Sequence, residues 1–581
     1  MTLPKLVLAL STIVALVLPP AGSAVSLVRH RPPLAIPDRR FGIVETYDDP
    51  ASAAALGAGW TRVRFPWADL QPNNDGEWNS AFFTDAMLAA ESDAGREVIG
   101  MIVNTPFWAL NDAAVPGVPR GLNLPESDPG NVWATFVRQI VARYAGQIDH
   151  WIIWNEPDIW DPAYPGRTWG GTVAEFFQLQ RVAYNVAKAT NPNAVVHLSA
   201  FTYFWDANYG RTPFFALLMD EIQRDPQAPA HNYYFDVASA NLYFRVDNIY
   251  DLIVWHHGEM RARGFDKPIW LTETNAAPSS DPRWPVANPA FPISLEEQAA
   301  YIPQAFAMAL AAGVDRIAVY KLIDTPGDRA ANPEPFGLVR DDRSRRPAFT
   351  AFQVATNYLA GFTGATLDQR DDLYTQVTVQ RAEATTTVLW TRAHVPVQVK
   401  VPARAAQAIL ADAFGGRQSI VPRDGVYTID LPGCTQPTCA IGGAPRLIVE
   451  GAPAAAIPQA TLVANQPTLE LTIKPTNSST IAPTVQPTDS PTVAPTISPT
   501  NQPTNTPTTQ PAPTRSPSPT PLEVQSPTPT PTPTLTLTLT FAPFSPVSNA
   551  DALLIALGLS FSTLLVAFLL VKLPSRPDAN L

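Results

Sequence analysis

Two glutamates of this chain stand at the ends of apolar segments, where a pair of carboxylates could share one reaction. Residues 150–158 read His-Trp-Ile-Ile-Trp-Asn-Glu-Pro-Asp, so an apolar run ends at Asn155 and Glu156. A second apolar run begins at residue 268 and ends in the same way at Glu273. A carboxylic acid that donates a proton and a second carboxylate that attacks carbon are the groups that break a bond between sugars. The two motifs therefore predict paired-carboxylate chemistry at strand ends.

The elements that would carry these glutamates alternate between strands and helices. Apolar runs predict strands at 41–45, 60–65, 98–103, 150–154, 195–199, 237–243, 269–273 and 316–321. Amphipathic patterns predict helices near 50–56, 79–94, 129–146, 172–190, 212–224, 248–263, 294–312 and 346–361. Eight strand–helix units predict a (β/α)8 TIM barrel over residues 38–361, of the α/β class. An open doubly wound sheet is the alternative, but that fold usually carries a nucleotide-binding glycine motif, which this sequence lacks.

The segment after the barrel changes its pattern. Between 362 and 452, short alternating stretches are separated by Gly, Pro and Asp, which predicts a small antiparallel, sandwich-like β domain. The predicted strands of this domain are 373–380, 386–391, 397–401, 408–412, 426–430 and 447–450. The only two cysteines of the chain, Cys434 and Cys439, lie in it. We expect them to form a disulfide because the chain is expected to be exported; two unrelated small apolar residues are the alternative.

Both ends of the chain carry targeting patterns. Residues 1–24 combine a positive start, an apolar core and small residues, which predicts a signal peptide, with an uncleaved anchor as the alternative. Residues 453–548 are rich in Pro and Thr and predict a disordered linker. Residues 552–571 form an uncharged run long enough for one transmembrane helix, and 572–581 would be a cytoplasmic tail. We therefore expect a single-pass protein of the cell surface with its barrel outside.

Charge and metal-ligand patterns restrict the partners. The net charge is −11 and no basic run stands out, which argues against a nucleic-acid partner. No zinc-type spacing of His and Cys occurs, so we expect no metal and no cofactor. The expected partners are an oligosaccharide or polysaccharide substrate and, through the C-terminal helix, the membrane.

The two glutamate motifs, Ile-Trp-Asn-Glu-Pro ending at residue 157 and Trp-Leu-Thr-Glu ending at residue 273, resemble the signatures of glycoside hydrolase clan A. The resemblance is to retaining β-glycosidases, and loosely to the β-xylosidase and α-L-iduronidase family. It implies that Glu156 is the general acid/base and Glu273 the nucleophile. It also implies that Asn155 holds the sugar 2-hydroxyl, that Arg64 supports the nucleophile and that Tyr243 hydrogen-bonds it.

Some positions depart from the clan pattern or have two readings. Clan members often have His-x-Tyr on the sixth strand, where this chain has Asn241 two residues before its tyrosine, and many have Trp at the end of the eighth strand, where this chain has Tyr320. Trp108 and Trp160 lie in loops after the third and fourth strands and could stack on sugar rings. Packing beneath a long loop is the alternative for each.

These observations lead to one hypothesis and one alternative. The hypothesis is an extracellular, membrane-anchored, retaining glycoside hydrolase that cleaves a β-linked glycan by a two-glutamate double displacement. Retention predicts carboxyl groups about 5–5.5 Å apart. The alternative is a non-catalytic glycan-binding surface protein built on a glycosidase-like barrel. The sugar, the linkage and endo or exo action do not follow from these motifs.

Overall fold

The computed structural model describes residues 38–164, 166–331 and 334–451. The predicted signal peptide, the Pro/Thr-rich linker, the transmembrane helix and the cytoplasmic tail lie outside the described residues. Within the described ranges, no helix combines the length and the apolar character needed to span a bilayer.

Eight parallel strands close into a barrel in which each strand pairs with the next and the eighth pairs with the first. This confirms the predicted TIM barrel. Gly42 on the first strand leaves room for the neighbouring strand, because a Cβ atom there would lie 2.3 Å from the ring of Trp60. The strands are β1 Phe41–Ile43, β2 Trp60–Pro66, β3 Glu97–Val103, β4 His150–Ile153, β5 Val195–Phe201, β6 Val237–Asn241, β7 Ile269–Thr274 and β8 Val314–Val319.

Helices follow the strands and cover the outside of the barrel. Two of them begin with the capping boxes that the sequence contains, at Thr172 with Glu175 and at Ser294 with Glu297. The helices are α1 Pro50–Leu56, α2 Trp67–Leu70, α3 Asp85–Asp93, α4 Val132–Arg143, α5 Val173–Thr190, α6 Phe204–Ala207, α7 Phe214–Arg224, α8 Val246–Ala262, α9 Leu295–Ala311, α10 Pro326–Ala331 and α11 Pro347–Leu359. The sequence did not predict α2, α6 and α10, because one or two turns inside a loop are too short to show a periodic pattern.

Polar and aromatic side chains meet in the lower part of the barrel. The ring of Trp270 lies 5.5 Å from that of Trp60 and 4.9 Å from that of His150. His150 hydrogen-bonds His197 at 2.9 Å, and on its other side it contacts Glu97 at 3.3 Å. Side chains of β2, β3, β4, β5 and β7 therefore fill this part of the barrel interior, as expected for eight strands.

The segment after α11 forms the predicted antiparallel β domain. Its strands are β9 Phe362–Arg370, β10 Tyr374–Arg381, β11 Ala384–Thr391, β12 Val397–Pro402, β13 Ala408–Asp412, β14 Arg417–Ile420, β15 Val426–Leu431 and β16 Arg446–Gly451. Six form one sheet in the order β14-β13-β16-β11-β10-β9, and β12 pairs with β15 in a second, two-stranded sheet. Cys434 and Cys439 form the predicted disulfide.

The two faces of the six-stranded sheet pack against different partners. Leu389 and Ile448 share a cluster with the two-stranded sheet, whereas their neighbours Val388 and Leu447 join the core of the barrel. Successive residues of a strand point to opposite faces, so this division follows from the alternation of apolar residues. On the barrel side, helix α9 packs against β9, β10 and β11.

Candidate active site

Glu156 lies directly beyond β4 at the carboxyl end of the barrel. Its side chain is buried, with 4% of the residue exposed. The backbone reaches this position through two left-handed residues, Trp154 with φ 76° and Glu156 with φ 45°. The amide of Glu156 donates to the carbonyl of Ala200 on β5 at 3.0 Å, which fixes the turn. Left-handed non-glycine residues are uncommon and often occur at functional sites.

Glu273 lies on β7 and is also buried, with 3% of the residue exposed. One of its carboxylate oxygens forms an ion pair with the guanidinium of Arg62, although the two groups are not aligned as a hydrogen bond. The other oxygen accepts a hydrogen bond from the hydroxyl of Tyr243. The contact with Tyr243 is the one that the clan resemblance implies. A cation and a phenol thus hold this carboxylate on two sides.

The arginine beside Glu273 is not the one that the resemblance implied. The expectation was Arg64, but the structure places Arg62 against the carboxylate and leaves Arg64 half-buried, with no ion pair to any carboxylate of the described residues. Both arginines point to the same face of β2, because side chains alternate with a period of two. Arg62 and Arg64 are two residues apart, so they lie about 6.6 Å from each other along the strand. The register of the strands in the closed barrel decides which of the two is level with Glu273.

Asn241, at the end of β6, connects Glu156 with the strand that carries Glu273. Its side-chain amide donates to Glu156 Oε1 at 3.0 Å and to Asn155 Oδ1 at 3.3 Å. Its carbonyl oxygen accepts a hydrogen bond from the hydroxyl of Thr272 at 2.9 Å, and Thr272 directly precedes Glu273. The sequence showed Asn241 only as a departure from the clan pattern, so its contact with Glu156 was not predicted.

Burial sets the charge state of the site. It raises the pKa of Glu156 well above the usual range of a glutamate, and the neighbouring negative charge of Glu273 raises it further. Burial and the charge of Glu273 also raise the pKa of Tyr243, so its phenol keeps the proton that it donates. At neutral pH the site therefore combines one protonated carboxylic acid with a second glutamate that accepts a phenol hydrogen bond and contacts a guanidinium. This is the pairing that a retaining double displacement needs.

The two candidate stacking residues have other contacts. Trp108 is half-buried, donates from its indole nitrogen to the backbone oxygen of Gln71 at 2.6 Å and packs edge-on against Trp67. Trp160 is also half-buried and donates to the backbone oxygen of Trp205 at 2.6 Å. The guanidinium of Arg211 lies 4.8 Å from the centre of its ring. Sugar stacking by either residue stays a prediction.

Comparison with known proteins finds solved structures of similar fold. No protein-family model and no curated protein matches the sequence. Among solved structures, the chain is similar to a family 39 glycoside hydrolase from Bacteroides cellulosilyticus WH2, with 16% identity, a TM-score of 0.51, and coverage of 71% of this chain and 81% of that chain. It is also similar to a glucosidase from Croceicoccus marinus, with 14% identity, a TM-score of 0.48, and coverage of 72% and 96%. A β-xylosidase from Caulobacter crescentus CB15 gives 15% identity, a TM-score of 0.46, and coverage of 72% and 98%.

The first of these similarities shows the fold. Over 71% of its length the chain shares the fold of that family 39 glycoside hydrolase, and its closed eight-stranded barrel fits the clan A fold that the glutamate motifs indicated. The activity is a separate question that depends on the site itself.

Proposed function

We propose that this protein is a retaining glycoside hydrolase that cleaves a β-linked glycan. The observation that carries the proposal is the pair of buried, electrostatically interacting glutamates Glu156 and Glu273 at the carboxyl ends of β4 and β7. Burial and the neighbouring carboxylate raise the pKa of Glu156, while Glu273 has a cation and a phenol as partners. One acid and one nucleophile at the mouth of a barrel are the minimal set for this reaction.

The first step forms a covalent intermediate. A carboxylate oxygen of Glu273 attacks the anomeric carbon, and the bond from that carbon to the leaving oxygen breaks. Glu156 gives its proton to the leaving oxygen, so the aglycone departs as an alcohol and Glu156 becomes a carboxylate. Arg62 and Tyr243 orient the attacking group through the contacts that they make with it.

The second step returns the enzyme to its starting state. In the intermediate Glu273 is an ester and carries no charge, so its repulsion no longer raises the pKa of Glu156, and Glu156, which has given up its proton, can act as the base. It takes a proton from water, whose oxygen attacks the anomeric carbon. The ester bond breaks, Glu273 regains its carboxylate and the sugar leaves with its original configuration.

We further propose that the barrel acts outside the cell at the membrane surface. The support is sequence pattern alone: the export-type segment at 1–24, the Pro/Thr-rich linker at 453–548 and the uncharged run at 552–571. The linker would hold the barrel away from the lipid, where a polymeric substrate can reach it.

The test replaces each glutamate with glutamine and measures the hydrolysis of aryl β-glycosides by the full-length chain. We expect E156Q and E273Q each to lose at least about 1,000-fold in kcat/KM, because each removes a group that takes part in bond breaking. E221Q, the same change on the outer helix α7, serves as the control and should keep full activity. Unchanged turnover in both E156Q and E273Q would refute the proposal.

A trapping experiment separates the roles of the two glutamates. A 2-deoxy-2-fluoro aryl glycoside slows the second step and should leave the sugar attached to Glu273, which mass spectrometry of the peptides can locate. Attachment at Glu156 would reverse the assignment. Glycan binding with no product from any β-linked substrate would favour a glycan-binding surface protein instead.

A further inference from the structure

A cavity of about 330 Å³ lies between the loop after β4 and the loop after β5. Pro157, which directly follows Glu156, is part of its wall. Cavities that bind small ligands begin at about 300 Å³, and one water molecule needs about 30 Å³. The space therefore suits one sugar ring. The side chains that give the wall its chemistry are Asp158, Trp160, Arg167, Asp206 and Arg211.

Asp158 contributes a buried carboxyl group with one unused oxygen. The residue is 1% exposed. Its Oδ2 accepts three hydrogen bonds, from the amide and hydroxyl of Thr202 at 2.8 and 2.7 Å and from the amide of Tyr203 at 3.0 Å. No other residue in the described part of the chain donates to Oδ1. The carboxyl group of Asp158 is therefore fixed in the wall of the cavity by the start of the loop after β5.

The arginines of the cavity differ in their partners. Arg211 forms an ion pair with Asp206 at 2.9 Å, so these two charges cancel. Arg167 donates from Nε to the backbone oxygen of Trp169 at 3.2 Å, and no carboxylate of the described residues lies within ion-pair distance of it. Its remaining N–H groups are available as hydrogen-bond donors. Guanidinium groups bind sugar hydroxyls as well as anions, because all their N–H groups donate.

The charge balance of the cavity indicates the kind of ligand. Arg167 contributes one positive charge that no side chain cancels. Burial and the nearby Asp206 raise the pKa of Asp158 to about 7, so that carboxyl is partly ionised at neutral pH. The cavity as a whole is thus close to neutral, and its wall combines guanidinium donors with aromatic side chains. An uncharged ligand with several hydroxyl groups fits this set better than a carboxylated one.

We propose that this cavity is a second glycan subsite, which holds one uncharged sugar unit of an oligosaccharide whose scissile bond lies between Glu156 and Glu273. The proposal rests on the proposed glycosidase function. It has a consequence for substrate choice: the protein acts on β-linked chains of several sugars in preference to glycosides of a single sugar. The link between the subsite and the general acid is Pro157, which lies in the wall of the cavity and directly follows Glu156 in the chain.

The test compares the full-length chain with its R167M variant on two kinds of substrate. One kind is the neutral pentasaccharides xylopentaose, cellopentaose and mannopentaose, and the other is the 4-nitrophenyl β-glycosides of the same single sugars. The readout is the ratio of kcat/KM for the pentasaccharide to kcat/KM for the single-sugar glycoside. This ratio cancels any general effect on the two glutamates. We expect it to exceed one in the parent chain and to fall about tenfold in R167M, because a charge-assisted hydrogen bond is lost.

Two further variants keep the result interpretable. T212W adds a large side chain to the cavity wall without removing Arg167 or Asp158, and it should lower the ratio in the same direction. R224M makes the same Arg-to-Met change on α7 away from the cavity and should leave the ratio within twofold. An unchanged ratio in both R167M and T212W would overturn the subsite. Preference for a glucuronic-acid-substituted xylopentaose over the neutral one would overturn its uncharged ligand.

Calorimetry distinguishes failure of the subsite from failure of the catalytic proposal. If the parent chain hydrolyses none of these substrates, the same pentasaccharides are titrated against it and against R167M. Binding that R167M weakens about tenfold would support the subsite although the glycosidase function fails. Absence of binding, or equal binding by both proteins, would overturn the subsite.

Discussion

Replacement of Arg62 by Met tests the most specific feature of the site, the ion pair with Glu273. Both partners are nearly inaccessible, with 2% of Arg62 and 3% of Glu273 exposed. Loss of the guanidinium leaves a buried carboxylate whose remaining hydrogen bond comes from Tyr243. Breaking a buried ion pair from one side costs about 3–5 kcal/mol, because the other charge stays buried without its partner. We expect R62M to lose that amount in its free energy of unfolding.

The matched control is R64M, two residues further along the same strand. Arg64 is half-buried, and within the described ranges no carboxylate pairs with it, so we expect its replacement to cost no more than about 1 kcal/mol. Activity should separate the two variants as well. A nucleophile displaced by about 1 Å can lose about 100-fold in rate, so R62M should fall at least that far on aryl β-glycosides.

Urea unfolding at pH 7 and initial rates on one aryl β-glycoside are sufficient measurements. R62K retains a cation but lacks the planar guanidinium, so its stability and its rate should lie between those of the parent and R62M. If R64M proves more damaging than R62M in both assays, Arg64 supports the nucleophile and the register described above is wrong. Equal, small losses in both variants would show that the ion pair does not hold the nucleophile.

Two predictions concern pH. The pKa of Glu156 is raised in the folded state, so its contribution to stability is present below the ordinary glutamate pKa and is lost as pH rises towards the folded value. Relative to the parent, E156Q should therefore gain free energy of unfolding at up to about 1.4 kcal/mol per pH unit above pH 5. A difference between the two proteins that stays constant from pH 5 to pH 8 would contradict this prediction. Burial alone would raise the pKa of Glu97, but His150 and Arg316 lower it from 4.5 to about 2. In urea unfolding, E97Q should therefore lose at most roughly 3 kcal/mol of its free energy of unfolding at pH 7. This loss should shrink as pH falls from 4.5 to 2, because Glu97 of the parent becomes protonated. A loss that is equal at pH 7 and pH 2.5 would show that Glu97 acts through packing.

The strands that the sequence did not predict lie at the edges of the six-stranded sheet. β14 reads Arg-Gln-Ser-Ile and is almost fully exposed, so it has no apolar alternation. β9 alternates in burial, but its residues are at most half-buried and include Gly364 and two charged side chains. An edge strand has one neighbour and a solvated side, and it needs fewer apolar residues than a central strand. Local patterns are therefore weakest at the sheet edges.

The loop tryptophans show a second limit of local reasoning. Trp108 and Trp160 lie in the loops where sequence placed them, but the directions of their rings depend on distant partners. Those partners are the backbone of Gln71 in one case and Arg211 with the backbone of Trp205 in the other. A loop position indicates that a side chain can reach a substrate, and the tertiary contacts decide which face it presents.

The sequence by itself determined the barrel and the placing of Glu156 and Glu273 at one of its ends. Apolar periodicity is a local property, and parallel strands bring their carboxyl ends to the same edge, so both conclusions need no distant contact. The tertiary structure alone decided that Arg62 and not Arg64 meets Glu273, and that Asn241 bridges towards Glu156. These contacts depend on the relative heights of strands far apart in the chain, and the height is set by the closure of the barrel.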